Sequence, residues 1–284
     1  MANETTSTSI SELYTEIIQE AIFTFQETSV MRPLVTTYNI TGQGKQVAVP
    51  IFPTVAAAAV SEGSDLANTE VNPTEKTITA SEVGVMTTLT DLARESSSRP
   101  IAQDIGRVFG EALAKKVDTD LAALFASFAT ANDLGAAGTE LTADLLLKAE
   151  STLRALNVPR PYYAVFHPKA VFNLKKTLTS AGFAGSAAPA ISSVGENVFG
   201  SGFVGNIFGI DVYENANLTI SSAGDCIGGV FHPISLGLAM KMDFKIETQR
   251  DASLRATEIV GTMTYGQDVV KDNYGCQVTV DASL

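Results

Sequence analysis

The 284 residues carry a net charge of −12, with 45% hydrophobic and 18% charged side chains, a balance that excludes intrinsic disorder. The acidic excess disfavours binding a polyanion through a broad basic surface. No apolar run is long enough to span a bilayer and no basic-then-apolar leader opens the chain, so a membrane role and a secretory route are not expected.

At this length one or two compact domains with projections are expected. Ile10, Leu13, Ile17, Ile18, Ala21 and Ile22 fall at helical spacing with acids opposite, and Ser11 or Thr8 can cap the start, which predicts a short helix. Residues 29–43 read as an extended arm in which Pro33 removes a donor and Val35, Tyr38 and Ile40 offer anchors.

A polar, two-armed stretch follows over residues 44–99. Val47, Val49 and Ile51 alternate with polar or small residues going out, and Val83, Val85, Thr87 and Leu89 alternate coming back, the pattern of a long hairpin. Between the arms lie Glu62, Asp65, Glu70, Glu75 and Lys76, with turn formers at Gly63, Asn68, Asn72 and Pro73. So polar a tip cannot build a core of its own, and an isolated two-stranded hairpin is marginal in water. It is expected to lie on another copy of the chain, which makes those five residues candidate assembly contacts.

A helix of about thirty residues comes next, at ~1.5 Å per residue a rod roughly 45 Å long. Ser97 or Ser98 caps it and Pro100 occupies its first turn. Ile101, Ile105, Val108, Phe109, Ala112, Leu113, Val117, Leu121, Leu124, Phe125 and Phe128 form its apolar stripe, with Asp104, Arg107, Glu111, Lys115 and Asp118 opposite and Glu111 placed to pair with Lys115. An α/β region begins after residue 138. Thr142 caps a helix through Leu145, Leu146, Ala149, Leu153 and Leu156, residues 162–166 make a buried strand, and His167 and Pro168 open a helix carrying Val171, Phe172, Leu174 and Leu178. Residues 179–205, rich in Gly, Ala and Ser, read as a long loop. Strands resume over 207–213, 226–231, 236–240, 244–248, 258–265 and 277–280.

Signals of catalysis are few. The only histidines, His167 and His232, each precede a proline at the exit of an apolar strand, where an imidazole satisfies a turn backbone more readily than it serves as a base. No GxSxG, HExxH, EF-hand or GxxxxGK[ST] pattern occurs and the carboxylates are scattered. Gly200, Gly202 and Gly205 match GxGxxG, but they follow a loop and open a strand, the wrong context for a phosphate-binding turn. Cys226 and Cys276 form no CxxC pair, so two buried thiols are expected. No catalytic residue, metal or cofactor is expected.

The order of arm, acidic hairpin, long helix, α/β region and returning strands resembles the major capsid protein of tailed bacteriophages, over nearly the whole chain. The stretch VAVPIFPTVAAAAVSEG (47–63) is similar to the outgoing half of that family's extended loop, AVFHP (164–168) to a strand-to-helix turn of its axial domain, and GNIFGIDVYENAN (205–217) to a strand of that domain. Residues 229–240 resemble the hairpin that follows, and Tyr265 and Gly266, ahead of Val269 and Val270, the last peripheral strands. The resemblance implies an α+β subunit with N-terminal arm 1–43, extended hairpin loop 44–96, peripheral-domain spine helix 97–138, axial domain 139–240 and peripheral return strands 241–284. It also implies self-assembly into hexamers and pentamers of an icosahedral virion shell, built in the host cytoplasm and enclosing double-stranded DNA without specific binding. Because the chain starts almost directly with the arm, a separate scaffolding protein is expected beside a portal, with a cement protein as an optional partner. Some members of the family crosslink a loop lysine to a neighbour's asparagine, but for Lys76 a solvated side chain is the expectation. The alternatives are an encapsulin, which is a nanocompartment of the same fold packing an enzyme, and a small-molecule enzyme built on the α/β region.

Overall fold

The described strands sort into three sheets, the two larger of them joined by one long helix. In the computed structural model residues 19–24, 29–57, 59, 60, 63, 65, 68–96, 101–180 and 203–283 are described. Residues 19–24 are helical (α1), and most of the predicted N-terminal helix lies outside the described residues. The arm then makes a 3₁₀ turn at Arg32–Leu34 and a short strand, β1 (Thr36–Asn39). Its expected anchors Val35 and Ile40 are buried.

A four-stranded sheet runs in the order β1, β10 (Leu236–Asp251), β11 (Ala256–Val269), β4 (Ser81–Thr90). The pieces expected at 236–240 and 244–248 are one strand, β10, with register shifts between Met240 and Lys245 where a bulge re-aims it. β2 (Gln46–Ile51) pairs with β3 (Thr74–Thr79), so the hairpin returns through TEKTIT rather than through residues 83–89. The reason is burial. Val83, Val85, Thr87 and Leu89 place one alternating face of β4 toward the core, where Val83 and Val85 pack, and that demand puts β4 at the sheet edge beside β11.

The second sheet has six strands, ordered β5 (Leu134–Gly135), β12 (Gly275–Asp281), β9 (Asp225–Phe231), β6 (Tyr162–Phe166), β8 (Ile210–Glu214), β7 (Phe203–Ile207). The last strand, expected among the return strands of 241–284, pairs here with β9 instead. Its alternating Cys276, Val278 and Val280 fill the core under α4 (Ala143–Ala155) and α5 (Pro168–Ser180). Helix α4 starts as predicted, the Thr142 hydroxyl accepting from the Leu145 N–H at 3.4 Å. In α5, Val171 and Leu174 are buried, whereas Phe172 is 53% exposed. The strands β6 and β8 are parallel, and α5 lies in the crossover between them that such a pair requires.

Between the sheets runs α3 (Ile101–Ala123), preceded by the short α2 (Asp91–Ser96). At 23 residues α3 is shorter than predicted, because the chain tightens into a 3₁₀ turn at Leu124–Ser127. The proposed caps Ser97 and Ser98, with Pro100, lie outside the described residues. Leu113, Val117, Leu121 and Phe125 share one core with Met263 and Tyr265 of the four-stranded sheet and Val165 and Phe231 of the six-stranded sheet. Three details depart from expectation. Val108 is 59% exposed and Ala112 exposed. Asp118, placed on the polar side by its charge, is fully buried, since it lies four residues after Ala114 and three before Leu121 on the packed face. The described ion pairs of the helix join Arg107 to Glu20 and Lys116 to Asp120, and none joins Glu111 to Lys115.

Candidate assembly surface

The hairpin has a buried root and an open outer half. At the root, Ile78 is wholly buried and packs with Ile40, Ala80, Ala239 and Val270, flanked by Tyr38, Val47, Val49 and Ile51. Beyond Ile51 the two arms form no described ladder, and Phe52 is 63% exposed, with Val55, Val60 and Val71 each close to half exposed. Four sizeable apolar side chains on a segment with no core beneath it form a surface that favours association.

Of the five residues singled out by sequence, Asp65, Glu70 and Glu75 are exposed, and Glu62 lies outside the described residues. Lys76 is not merely solvated. Its ammonium pairs with the Asp268 carboxylate of β11 at 3.3 Å, tying the hairpin to the sheet. Phe52, Val55 and Val60 lie in one FPTVAAAAV run, a sequence signal that the charged residues around it overshadow.

A second feature had no sequence signal beyond a charge at a core position. The Asp118 carboxylate accepts from the Ser29 hydroxyl at 2.9 Å, from the Val30 and Met31 N–H groups at 3.0 and 3.2 Å, and from the Asn215 amide at 3.1 Å. It therefore joins the arm, the long helix and the end of β8. Burial pushes its pKa above the usual carboxylate range, and the four donors act in the opposite sense.

The groups that could do chemistry are committed to structure. His167 Nδ1 accepts from the Lys169 N–H and His232 Nδ1 from the Ile234 N–H, each at 3.2 Å, so both imidazoles cap a helical turn. Burial, and then the nearby charge of Lys169 or Lys271, lowers both histidine pKa values. Burial raises the Cys226 and Cys276 thiols to about 11 and about 12, which leaves them as inert thiols. Gly200 and Gly202 lie outside the described residues, and Gly205 sits inside β7 rather than at a helix start. Among the described residues no cluster of His, Cys, Asp and Glu could hold a metal ion, and no helix is long and apolar enough to cross a membrane. A cavity of about 300 Å³ opens between the end of α3 and the β8–β9 connection. Its lone carboxylate, Asp225, is taken up by the Gly138 N–H at 2.7 Å.

Comparisons with known proteins agree with this architecture. The family model described as phage capsid protein matches residues 73–277. Among solved structures, the capsid of Ralstonia phage GP4 superposes with a TM-score of 0.73 at 10% identity, covering 91% of this chain and 92% of that one. The capsid of cyanophage P-SCSP1u gives 0.69 at 18% identity, covering 90% and 89%. The SrpI encapsulin of Synechococcus elongatus PCC 7942 gives 0.64 at 14% identity, covering 89% and 88%. No curated protein matches the sequence significantly.

Proposed function

The chain belongs to the phage capsid protein family and is a structural subunit of a capsid shell, and from that premise we propose how its parts build the shell. The four-stranded sheet with α3 serves as the peripheral domain, the six-stranded sheet with α4 and α5 as the axial domain, and copies gather into hexamers and pentamers. The outer half of each hairpin lies on a neighbouring copy, with Phe52, Val55, Val60 and Val71 as its apolar contacts and Asp65, Glu70 and Glu75 at their polar margin. One observation carries this reading. The hairpin exposes large apolar side chains that the other described residues of its subunit leave uncovered.

The shell encloses double-stranded DNA without binding it specifically, in keeping with a net charge of −12. Its place is the virion, after assembly in the host cytoplasm. A scaffolding protein, a portal and, optionally, a cement protein complete the partners of this reading, and the subunit performs no catalysis. The structural likeness to SrpI favours one second reading, an encapsulin-type shell around a protein cargo. Content separates the two, since nuclease-protected DNA belongs to the first and a single packaged enzyme to the second.

Replacing residues 56–72 by a short turn tests the role of the hairpin's outer half. The expected product is a folded, soluble subunit that no longer closes shells, because the deleted residues stop short of β3, Lys76 and buried Ile78. Shells of normal size from the deletion would refute the reading.

A further inference from the structure

The side of the four-stranded sheet that faces away from α3 carries a socket. Strand residues two apart share a face. Leu238 of β10 and Tyr265 of β11 point into the α3 core, so Gly237 and Ala239 of β10 and Gly266 and Asp268 of β11 present the opposite face, where Ala239 pairs with Gly266 and Gly237 with Asp268. The end of β3 sits on these residues. A Cβ added at Gly237 would lie 2.7 Å from the Ile78 Cδ1, and one added at Gly266 would run into the Thr79 carbonyl. Neither glycine has the positive φ that would explain it by backbone conformation, so close approach of the hairpin root is what each position requires.

The root is held at its sides as well. Lys76 pairs with Asp268 at 3.3 Å, the Ala80 N–H donates to the Lys45 carbonyl at 2.7 Å, and the Lys241 ammonium donates to the Gly42 carbonyl. By contrast, the turn leading into the hairpin, with Gly42 and Gly44 at φ +81° and +137°, touches nothing that an added Cβ would meet. The outgoing side of the root is thus held through the Gly42 and Lys45 carbonyls, with open space around its glycines, and the returning side is seated on the sheet face.

We propose that Ile78 is a plug and the Gly237–Gly266 face its socket, and that the pair fixes the angle at which the hairpin leaves the subunit. Ile78 and the two glycines are positioning residues for assembly, acting through the outer half of the hairpin, and in this the inference rests on the assembly reading above. A seated root turns the hairpin into a stiff spar, so the apolar residues from Phe52 outward arrive at a neighbour in one orientation. Without the seat, the same residues would search a cone about the Gly42–Gly44 turn.

The test measures the angle before it measures assembly. Nitroxide labels at Thr54→Cys, on the hairpin, and Lys115→Cys, on the outer face of α3, report one distance in the unassembled subunit, and the buried native thiols stay unlabelled. The seated root predicts a single narrow distribution. Gly266→Ala, which pushes on Thr79, and Ile78→Ala, which empties the socket without adding bulk, should each shift it or broaden it at least twofold while circular dichroism stays that of a folded chain. Both variants should also lose closed shells by electron microscopy. A broad distribution in the parent, or unchanged distributions in folded variants, would overturn the proposal. Should Gly266→Ala fail to fold, Ile78→Ala and the parent distribution decide. If the distance changes as expected but shells still close normally, the socket stands and the assigned role of the hairpin in assembly is what fails.

Discussion

Asp118 shows how a single residue can bind distant parts of this chain together. Its carboxylate collects two backbone N–H groups, a hydroxyl and an amide, and removing it takes the acceptor from all four donors, three of them in buried bonds. Asp118→Ala should therefore cost roughly 3 kcal/mol or more, read as a lower urea midpoint of the unassembled subunit. Because burial raises its folded-state pKa, the stability linked to this group is full in acid and lost as pH rises through that pKa, so ionisation offsets part of what the four bonds supply. The histidines have the opposite sign. Burial lowers His167 and His232, so their contribution is present above the ordinary value of about 6.5 and lost as pH falls from there through the folded pKa. Stability should accordingly decline as histidine protonates below neutrality. His232→Asn keeps an acceptor for the Ile234 N–H but cannot titrate, so it should show a shallower decline in a pH series of thermal unfolding. An unchanged slope would mean that the cap does not sense the proton.

Among the elements, α3 carries the connection between the two larger sheets. Leu113, nearly without exposure, lies in the shared core, and Leu113→Ala should cost about 2 to 5 kcal/mol. Lys115→Ala on the exposed face should change the unfolding midpoint little. Equal effects would mean that the packed face of the helix is misassigned. Periodicity made the helix and most of that face legible, as it did α4 with its Thr142 cap and the strand β6. It failed where a local rule met a tertiary demand. Asp118 was sorted by its charge, although its position between Ala114 and Leu121 put it inward, and no local pattern announces donors that come from residues 29–31 and 215. The hairpin's return was assigned to the more strongly alternating 83–89 because TEKTIT offers one apolar residue, yet that residue, Ile78, is the one the sheet buries. The pairing of β12 with β9 was equally hidden, since alternation declares that a strand has a buried face without naming the sheet that covers it.

At the scale of the whole molecule, a shell subunit must fold alone and yet remain incomplete until copies meet. The two cores around α3 and the α4–α5 layer meet the first need, and the open half of the hairpin meets the second. What sequence alone carried at this scale was the order of the elements, and the capsid family model matches residues 73–277, which leaves out the arm and the outgoing half of the hairpin. A capsid subunit closes on copies of itself, and negative-stain electron microscopy of the purified chain, paired with sedimentation over a range of concentrations, tests this closure. The expected images are ring-shaped five- and six-fold assemblies or closed icosahedral shells whose proportion rises with concentration. A single slowly sedimenting monomer at every concentration, with no rings or shells on the grid, would refute self-closure.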